Sequence, residues 1–247
     1  MEMKFLTEPA IILNNNVLVI VDLHIGIEYE IYQSGITVPS QIEKMQKRID
    51  KIIKENKVKH LIIIGDVKHQ VPDTSRQEYQ EIPKFLKHFD IKVSIVKGNH
   101  DGNIERLVPK NIDIYDSKGF KIDDVVLIHG HAWPDQDNLD VEHLIMGHVH
   151  PAVEFWTDDF RTTEACWLKC KIDKEKIKKK YKTETNLKEA IIMPPFNHLI
   201  SGIAFNSEDF EPISPLLTNE ILKWKEADVH LLDGTFLGKL NKIKREK

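Results

Sequence analysis

Cysteine is scarce: Cys166 and Cys170 are the only two in 247 residues, too few for a disulfide scaffold and, alone, too few to hold zinc. Both read as reduced strand or core residues. No apolar run approaches the roughly 18 residues of a membrane-spanning helix; stretches such as Leu61 to Ile64 and Val125 to Ile128 are short. The N-terminus lacks a basic segment leading into a long apolar one, since Glu2 and Glu8 flank Phe5 and Leu6, so a cytoplasmic protein without a membrane partner is expected. Internal repeats and flexible linkers are also lacking, and one domain over residues 1–247 is expected. Arginine is rare, with Arg48, Arg76, Arg106, Arg161 and Arg245 set against 30 lysines. The 35 basic and 39 acidic side chains leave a net charge of −4, which excludes a grossly basic protein and confines any nucleic-acid contact to local patches.

What is present fits a soluble chain with a substantial core: 41% of residues are apolar and the mean hydropathy is −0.35. Six lysines crowd into Lys174 to Lys182, within a segment 173–188 too charged for the core and expected to be an exposed inserted loop or helix. Lys242, Lys244, Arg245 and Lys247 make a basic tail over 242–247. For either patch a solvated lysine- and glutamate-rich surface is the first reading, and a nucleic-acid contact the second.

The first half alternates strands and helices. Val17 to Val21 is a buried-type strand ending at Asp22; Ser40 and Glu43 suggest a capping box before a helix carrying Ile42, Met45, Ile49, Ile52 and Ile53. A strand Leu61 to Ile64 ends at Gly65-Asp66, Pro83 opens a helix with Phe85, Leu86 and Phe89, and a strand Val93 to Val96 ends at Gly98-Asn99. Such β-α-β-α-β order implies parallel strands. Beyond residue 110 short strands follow: Ile112 to Tyr115, Phe120 to Ile122, Val125 to Ile128, Leu144 to Met146, Val153 to Trp156, Ala165 to Ile172 and Ala190 to Met193. Asp233-Gly234 between Val229 to Leu232 and Thr235 to Leu237 predicts a two-residue type I′ hairpin.

The polar residues at these strand ends are of one chemical kind: Asp22 and His24, Asp66, Asn99 with His100 and Asp101, His129 and His131, His148 and His150. Strand ends of a parallel sheet gather at one edge, so five loops can meet in one crevice. Carboxylate, imidazole and amide oxygen, without thiolate, suit Mn²⁺, Fe²⁺ or Zn²⁺, and the ligands outnumber one metal's needs. Asp22-x-His24 or Gly65-Asp66 alone is no more than a turn or helix cap. Gly98-Asn99-His100-Asp101 and Gly147-His148-Val149-His150 are more specific, because glycine lets polar side chains converge at a sharp turn.

In this order the motifs resemble the complete signature of the calcineurin-like metallophosphoesterase superfamily, and every position is filled. Glu8-Pro9-Ala10, Val21-Asp22-Leu23-His24-Ile25-Gly26-Ile27-Glu28, Gly35-Ile36 to Pro39 and Gly65-Asp66-Val67-Lys68-His69 further resemble the SbcD-related archaeal phosphoesterases, relatives of bacterial ligase-associated DNA-repair endonucleases. The specific likeness covers residues 8–151; Pro194-Pro195-Phe196-Asn197 and Gly202 are similar to that group's ending more loosely. The resemblance implies an α/β, four-layer αββα sandwich of two mixed β-sheets flanked by helices. It implies two divalent cations, foremost Mn²⁺, with Fe²⁺, Zn²⁺ or Ni²⁺ as substitutes. Asp22, His24 and His150 would bind one, Asn99, His129 and His148 the other, and Asp66 would bridge them. Such a pair, roughly 3.5–4 Å apart, polarises a phosphoryl group and activates a bridging hydroxide for in-line attack. By the same likeness His100 stabilises or protonates the leaving oxygen, and Asp101 orients His100.

Other residues keep two or more readings. His131 is a metal contact through its carbonyl, a hold on substrate, or a hydrogen-bonded neighbour. Lys68 and His69 meet a substrate phosphate or are solvated, and Trp133 stacks on a base or packs. The leading expectation is a DNA nuclease of repair or fork processing, acting on single-stranded or branched DNA, with a helicase or repair protein as the partner the resemblance suggests. A small-molecule phosphodiesterase or phosphatase, for example on cyclic nucleotides, is the alternative, because the fold hosts many substrates. A noncatalytic scaffold is disfavoured by the intact ligand set.

Overall fold

The computed structural model describes residues 1–156 and 160–243. In chain order the first half contains β1 (Met3–Phe5), β2 (Ala10–Leu13), β3 (Val17–Val21), α1 (Ile27–Gln33), α2 (Ile42–Asn56), β4 (His60–Ile64), α3 (Arg76–Lys87), β5 (Lys92–Val96) and β6 (Asp113–Tyr115). The second contains β7 (Phe120–Ile122), β8 (Val125–Ile128), β9 (His143–Met146), β10 (Pro151–Trp156), β11 (Arg161–Lys171), α4 (Lys174–Tyr181), β12 (Glu189–Ile192), β13 (Ile203–Ala204), α5 (Pro215–Thr218), β14 (Asp228–Leu231) and β15 (Phe236–Lys239).

Among the described residues these strands make a six-stranded sheet in the order β1 to β6 and a nine-stranded sheet whose main path is β13-β10-β11-β12-β9-β8-β7, with β14 paired to β11 and β15 paired to β14. Both are mixed: β3 to β6 are parallel, as are the pairs β8–β9, β9–β12 and β10–β13, while the rest are antiparallel. Period-two alternation along β3 sends Leu18 and Ile20 to one face and Val17, Val19 and Val21 to the other, and all five are buried because both faces are covered. On the outer face of the first sheet lie Met45, Ile49 and Ile52 of α2 with Ile82 and Phe85 of α3. Between the sheets lie Val21, Ile64 and Val96 against Leu127, Ile145, Trp167 and Met193. On the outer face of the second are Ile177, Leu216 and Leu217. The result is the four-layer αββα sandwich. Trp167 fills the middle layer and meets Phe5 edge-on at a centroid distance of 5.3 Å. Trp167→Ala is expected to lower stability by about 3–5 kcal/mol in a urea titration, through lost burial and the cavity left between the sheets.

Several local expectations are corrected. The helix after residue 40 starts at Ile42 with Gln41 as its N-cap and no side-chain cap, so the Ser40-Glu43 box does not form. The box that does form is Ser75 with Glu78, which starts α3 and leaves Pro83 inside the helix rather than at its start. Asp233-Gly234 is not a type I′ turn: the Gly234 amide donates to Leu231 O (3.0 Å), the Leu231 amide to Thr235 O (2.9 Å), and only Gly234 (φ 91°) is left-handed. The loop is therefore a three-residue turn with a glycine bulge. Segment 173–188 forms a helix over Lys174–Tyr181 only, and Ile177 within it and Leu187 beyond it are buried and anchor the segment to the core. Of the basic tail, Lys244, Arg245 and Lys247 lie outside the described residues. Among the described residues no helix is long and apolar enough to cross a membrane.

Candidate metal centre

The ends of five strands supply the site, three from the first sheet and two from the second, rather than one sheet edge. Asp22 and His24 follow β3, Asp66 follows β4, Asn99 and His100 follow β5, His129 follows β8, and His148 and His150 follow β9. Main-chain pairing continues past the strands and locks these loops together: His24 N donates to Asp66 O (2.8 Å), Ile25 N to Val67 O (2.9 Å) and Gly147 N to His129 O (3.2 Å). Five of these residues have left-handed backbones, Asp22 (54°), His24 (42°), Asp66 (48°), His148 (73°) and His150 (43°). Non-glycine residues adopt that region at a cost of about 1–3 kcal/mol each, so their clustering here marks strain held for a purpose. Two glycines make room for it: a Cβ on Gly65 would fall 2.1 Å from His129 Nδ1, and one on Gly98 would fall 2.1 Å from Asp66 Oδ1. No side chain fits at either position.

Three donor groups result among the described residues: His24, His69 and His100 form one, all imidazole, and the other two contain a carboxylate. One ligand atom from each of Asp22, His24 and His150 lie within 4.8 Å of one another, and so do atoms from Asp66, His129 and His148. Asn99 Oδ1 joins the latter group, 3.0 Å from His129 Nε2. Asp66 Oδ2 stands 3.6 Å from His24 Nε2 and 3.3 Å from His129 Nε2, between the two groups. Asp22 Oδ1, His24 Nε2 and His150 Nε2 are buried and without a hydrogen-bond partner. Buried polar atoms are rarely left so, and three of them converging from two histidines and a carboxylate fit a divalent cation.

The surrounding hydrogen bonds set tautomers. Glu30 Oε2 accepts from His69 Nε2 (2.7 Å), which leaves His69 Nδ1 to accept from His24 Nδ1 at 3.2 Å. His24 Nε2 then presents a lone pair toward Asp22 and His150. His100 Nδ1 donates to His69 O (2.5 Å), so its Nε2 faces the site, 3.9 Å from Asp66 Oδ2. The His69 loop is itself held by the buried Glu78, whose Oε1 accepts from His69 N (2.8 Å) and Gln70 N (2.7 Å). Asn197 Nδ2 donates to Leu23 O (2.8 Å) and Phe196 N to Val21 O (2.9 Å), bracing the Asp22–His24 turn from far along the chain. Glu30 and Glu78 carry no motif in the sequence; only the Ser75-x-x-Glu78 spacing signalled the latter, as a helix cap.

Two expectations change. Asp101 does not touch the His100 ring: its carboxylate accepts from Gly98 N (2.8 Å), Val67 N (2.9 Å) and Lys68 N (3.3 Å), tying the loops after β4 and β5 together. Lys68 is fully buried, its Nζ bonded to Gln70 O and Asp73 O, so it staples its own loop and is not available to a phosphate. Of the two readings of Trp133, the structure shows packing: its ring carries the Lys180 amine 3.6 Å from the centroid and meets Tyr181 edge-on. His69 and His131 do lie at the site, beside His24 and His100 and beside His129 and His148 respectively.

Electrostatics divide the histidines. Burial would lower His129, but Asp66, Asp22 and Asp101 outweigh it and raise the ring to about 9. Burial would raise Asp66, but His129 holds it well below the usual carboxylate range. Burial, then the charge of His129, pushes His148 down to about 3 and His131 to about 4, and burial keeps His24 well below its ordinary value. Burial and then Asp66 raise Asp101 to about 6. Without metal, His129 thus holds a proton at neutral pH that His24 and His148 do not. A cation entering the Asn99–His129–His148 group displaces it, so metal affinity is expected to rise with pH, up to about tenfold per unit, and to level off above the His129 value. Calorimetry in buffers of different ionisation enthalpy at pH 7 is expected to read at least one proton released per protein, that of His129, with any ionisation of a metal-bound water adding to it; zero would contradict it.

The sequence matches the family described as Calcineurin-like phosphoesterase over residues 16–168, more than half the chain. No curated protein sequence matches it significantly. Among solved structures, that titled as Pseudomonas putida nuclease MPE is 20% identical, with a TM-score of 0.56 over 95% of this chain and 94% of that one. Yfce, a phosphoesterase from E. coli, is 15% identical, with a TM-score of 0.41 over 90% of this chain and 97% of that one. At 20% identity the first likeness concerns the fold.

Proposed function

The chain belongs to the calcineurin-like phosphoesterase family, whose members are phosphoester hydrolases with a dinuclear divalent metal centre, and from that premise we propose that it is a DNA nuclease of repair or fork processing. The observation that carries a hydrolase is the pair of donor groups meeting at Asp66 with their buried ligand atoms unpartnered. The nuclease reading is supported by the Gly65 to His69 and Val21 to Glu28 motifs of the SbcD-related group. A nuclease also shares the fold along the chain's length.

When bound, two cations polarise a phosphoryl group and lower the pKa of a water. The chain's own part is orientation and proton handling. Asp22, His24 and His150 are assigned to one cation, Asn99, His129 and His148 to the other, and Asp66 to both. Mn²⁺ is the cation proposed, since carboxylate, imidazole and amide oxygen are all acceptable to it. His100, with Nδ1–H fixed on the His69 carbonyl, directs Nε2 toward the scissile position, where a proton on that atom passes to the leaving oxygen. Asp101 supports this indirectly by joining the Asp66 and Gly98 loops.

The reading is tested with end-labelled single-stranded, flapped and duplex DNA in the presence of Mn²⁺. Degradation of at least one of these, lost on chelation, is expected. Intact DNA in every lane beside robust hydrolysis of a chromogenic phosphodiester would replace the nuclease with a small-molecule phosphodiesterase.

A further inference from the structure

The six lysines of Lys174 to Lys182 play no part in the centre just described, yet the fold brings them to its border. Tyr181 at the end of α4 donates its hydroxyl to Pro134 O (2.8 Å), and Trp133 beside it receives the Lys180 amine at 3.6 Å. Trp133 is two residues beyond His131, a reach of at most about 7 Å of chain. The His131 ring lies 5.2 Å from that of His129 and 5.9 Å from that of His148. A groove lined by Trp133, Lys176, Lys179, Lys180, Asn219 and Ile221 therefore opens close to the donor group of His129 and His148. Lys176, Lys179 and Lys180 share one face of α4 at i, i+3, i+4 spacing, while Ile177 is turned into the core.

Some of the charge is offset: Lys176 pairs with Glu220 (2.8 Å) and Lys178 with Glu184 (2.5 Å). Among the described residues no ion pair engages Lys174, Lys179, Lys180 or Lys182. The helix dipole accounts for lysines in the last turn. It does not account for Lys180 being seated on an indole, or for the helix end bracing the loop that carries His129 and His131. On the opposite side of the centre, beside His69, stands the exposed carboxylate of Glu30, which repels phosphate.

We propose that the Trp133–α4 face binds the backbone phosphates of a single DNA strand as it leaves the metal centre on the His129 and His148 side. Successive phosphates on an extended strand meet Lys180, Lys179 and Lys176, the last exchanging its exposed partner Glu220 for a phosphate, contacts that carry affinity without reading sequence. This rests on the nuclease reading above and adds the path of the strand.

The test compares wild type with the triple variant Lys176→Ala, Lys179→Ala, Lys180→Ala and with a control triple on α2, Lys44→Ala, Lys47→Ala, Lys51→Ala. Binding of a fluorescent oligothymidylate is read by anisotropy over a salt series, with EDTA to prevent cleavage. The α4 triple is expected to bind roughly tenfold or more weakly, with a salt slope shallower by about 2, at about 0.7 per lost contact. Its hydrolysis of a chromogenic phosphodiester with Mn²⁺ should match wild type, as should DNA binding by the control. Wild-type affinity and slope in the α4 triple, or an equal loss in the control, would overturn the strand path. Where wild-type protein still cleaves DNA, that failure belongs to the path alone; where it neither binds nor cleaves DNA, the nuclease reading falls as well.

Discussion

Asp66→Asn is expected to abolish hydrolysis, by about a thousandfold or more, and to leave the protein unable to hold two Mn²⁺ per chain. Asp66 Oδ2 is within 3.6 Å of His24 Nε2 and 3.3 Å of His129 Nε2, so this carboxylate is the atom group common to both donor sets. It is also nearly inaccessible to solvent, and its charge is held on by the buried His129. An amide keeps the shape and the acceptor for His100 N (2.9 Å to Oδ1) but removes the negative charge that offsets two cations. Folding should survive, and metal content by mass spectrometry separates loss of metal from loss of structure. A variant that retains two Mn²⁺ and activity within tenfold would remove Asp66 from the bridging position.

His100→Ala is expected to behave differently, keeping its metals while cleaving DNA about 10²–10⁴-fold more slowly. The ring touches the centre only from outside, with Nε2 3.9 Å from Asp66 Oδ2, and is partly open to solvent, where a leaving oxygen can reach it. A proton donor matters in proportion to the basicity of what departs. The loss should therefore be large for a sugar oxygen and small for nitrophenolate, which leaves readily without a proton. Equal losses on both substrates would mean that His100 serves only to hold the His69 loop, through its bond to the His69 carbonyl.

Much of this molecule is legible one segment at a time. Val17 to Val21, Phe120 to Ile122 and Val125 to Ile128 are strands with the expected ends, because a short apolar run bounded by polar turns has few other ways to be buried. The ligand residues are visible because strand-end glycines and metal-binding side chains recur in a fixed order. Less legible are α1, which has only a short mixed pattern, β1 and β2, which are only three and four residues long, and β13, a two-residue strand that pairs with β10 about fifty residues earlier in the chain. Ser40-x-x-Glu43 and Ser75-x-x-Glu78 have the same spacing and only the second forms a capping box, since a cap depends on the backbone path as much as on residue type.

The sequence by itself determined the layer composition, the strand-end chemistry and the identity of the residues that meet at the centre. Tertiary structure alone decided that two sheets rather than one edge supply them, and that Lys68 is a buried staple rather than a phosphate contact. It also decided that Asp101 binds backbone instead of the His100 ring, and that Glu30, Glu78 and Asn197 stand behind the ligands. The reason is that residue type and spacing along a strand or helix set which face a side chain takes. What that side chain touches depends on segments up to 174 residues away, as for Asn197 and Leu23, and those distances close only when the sheets pack.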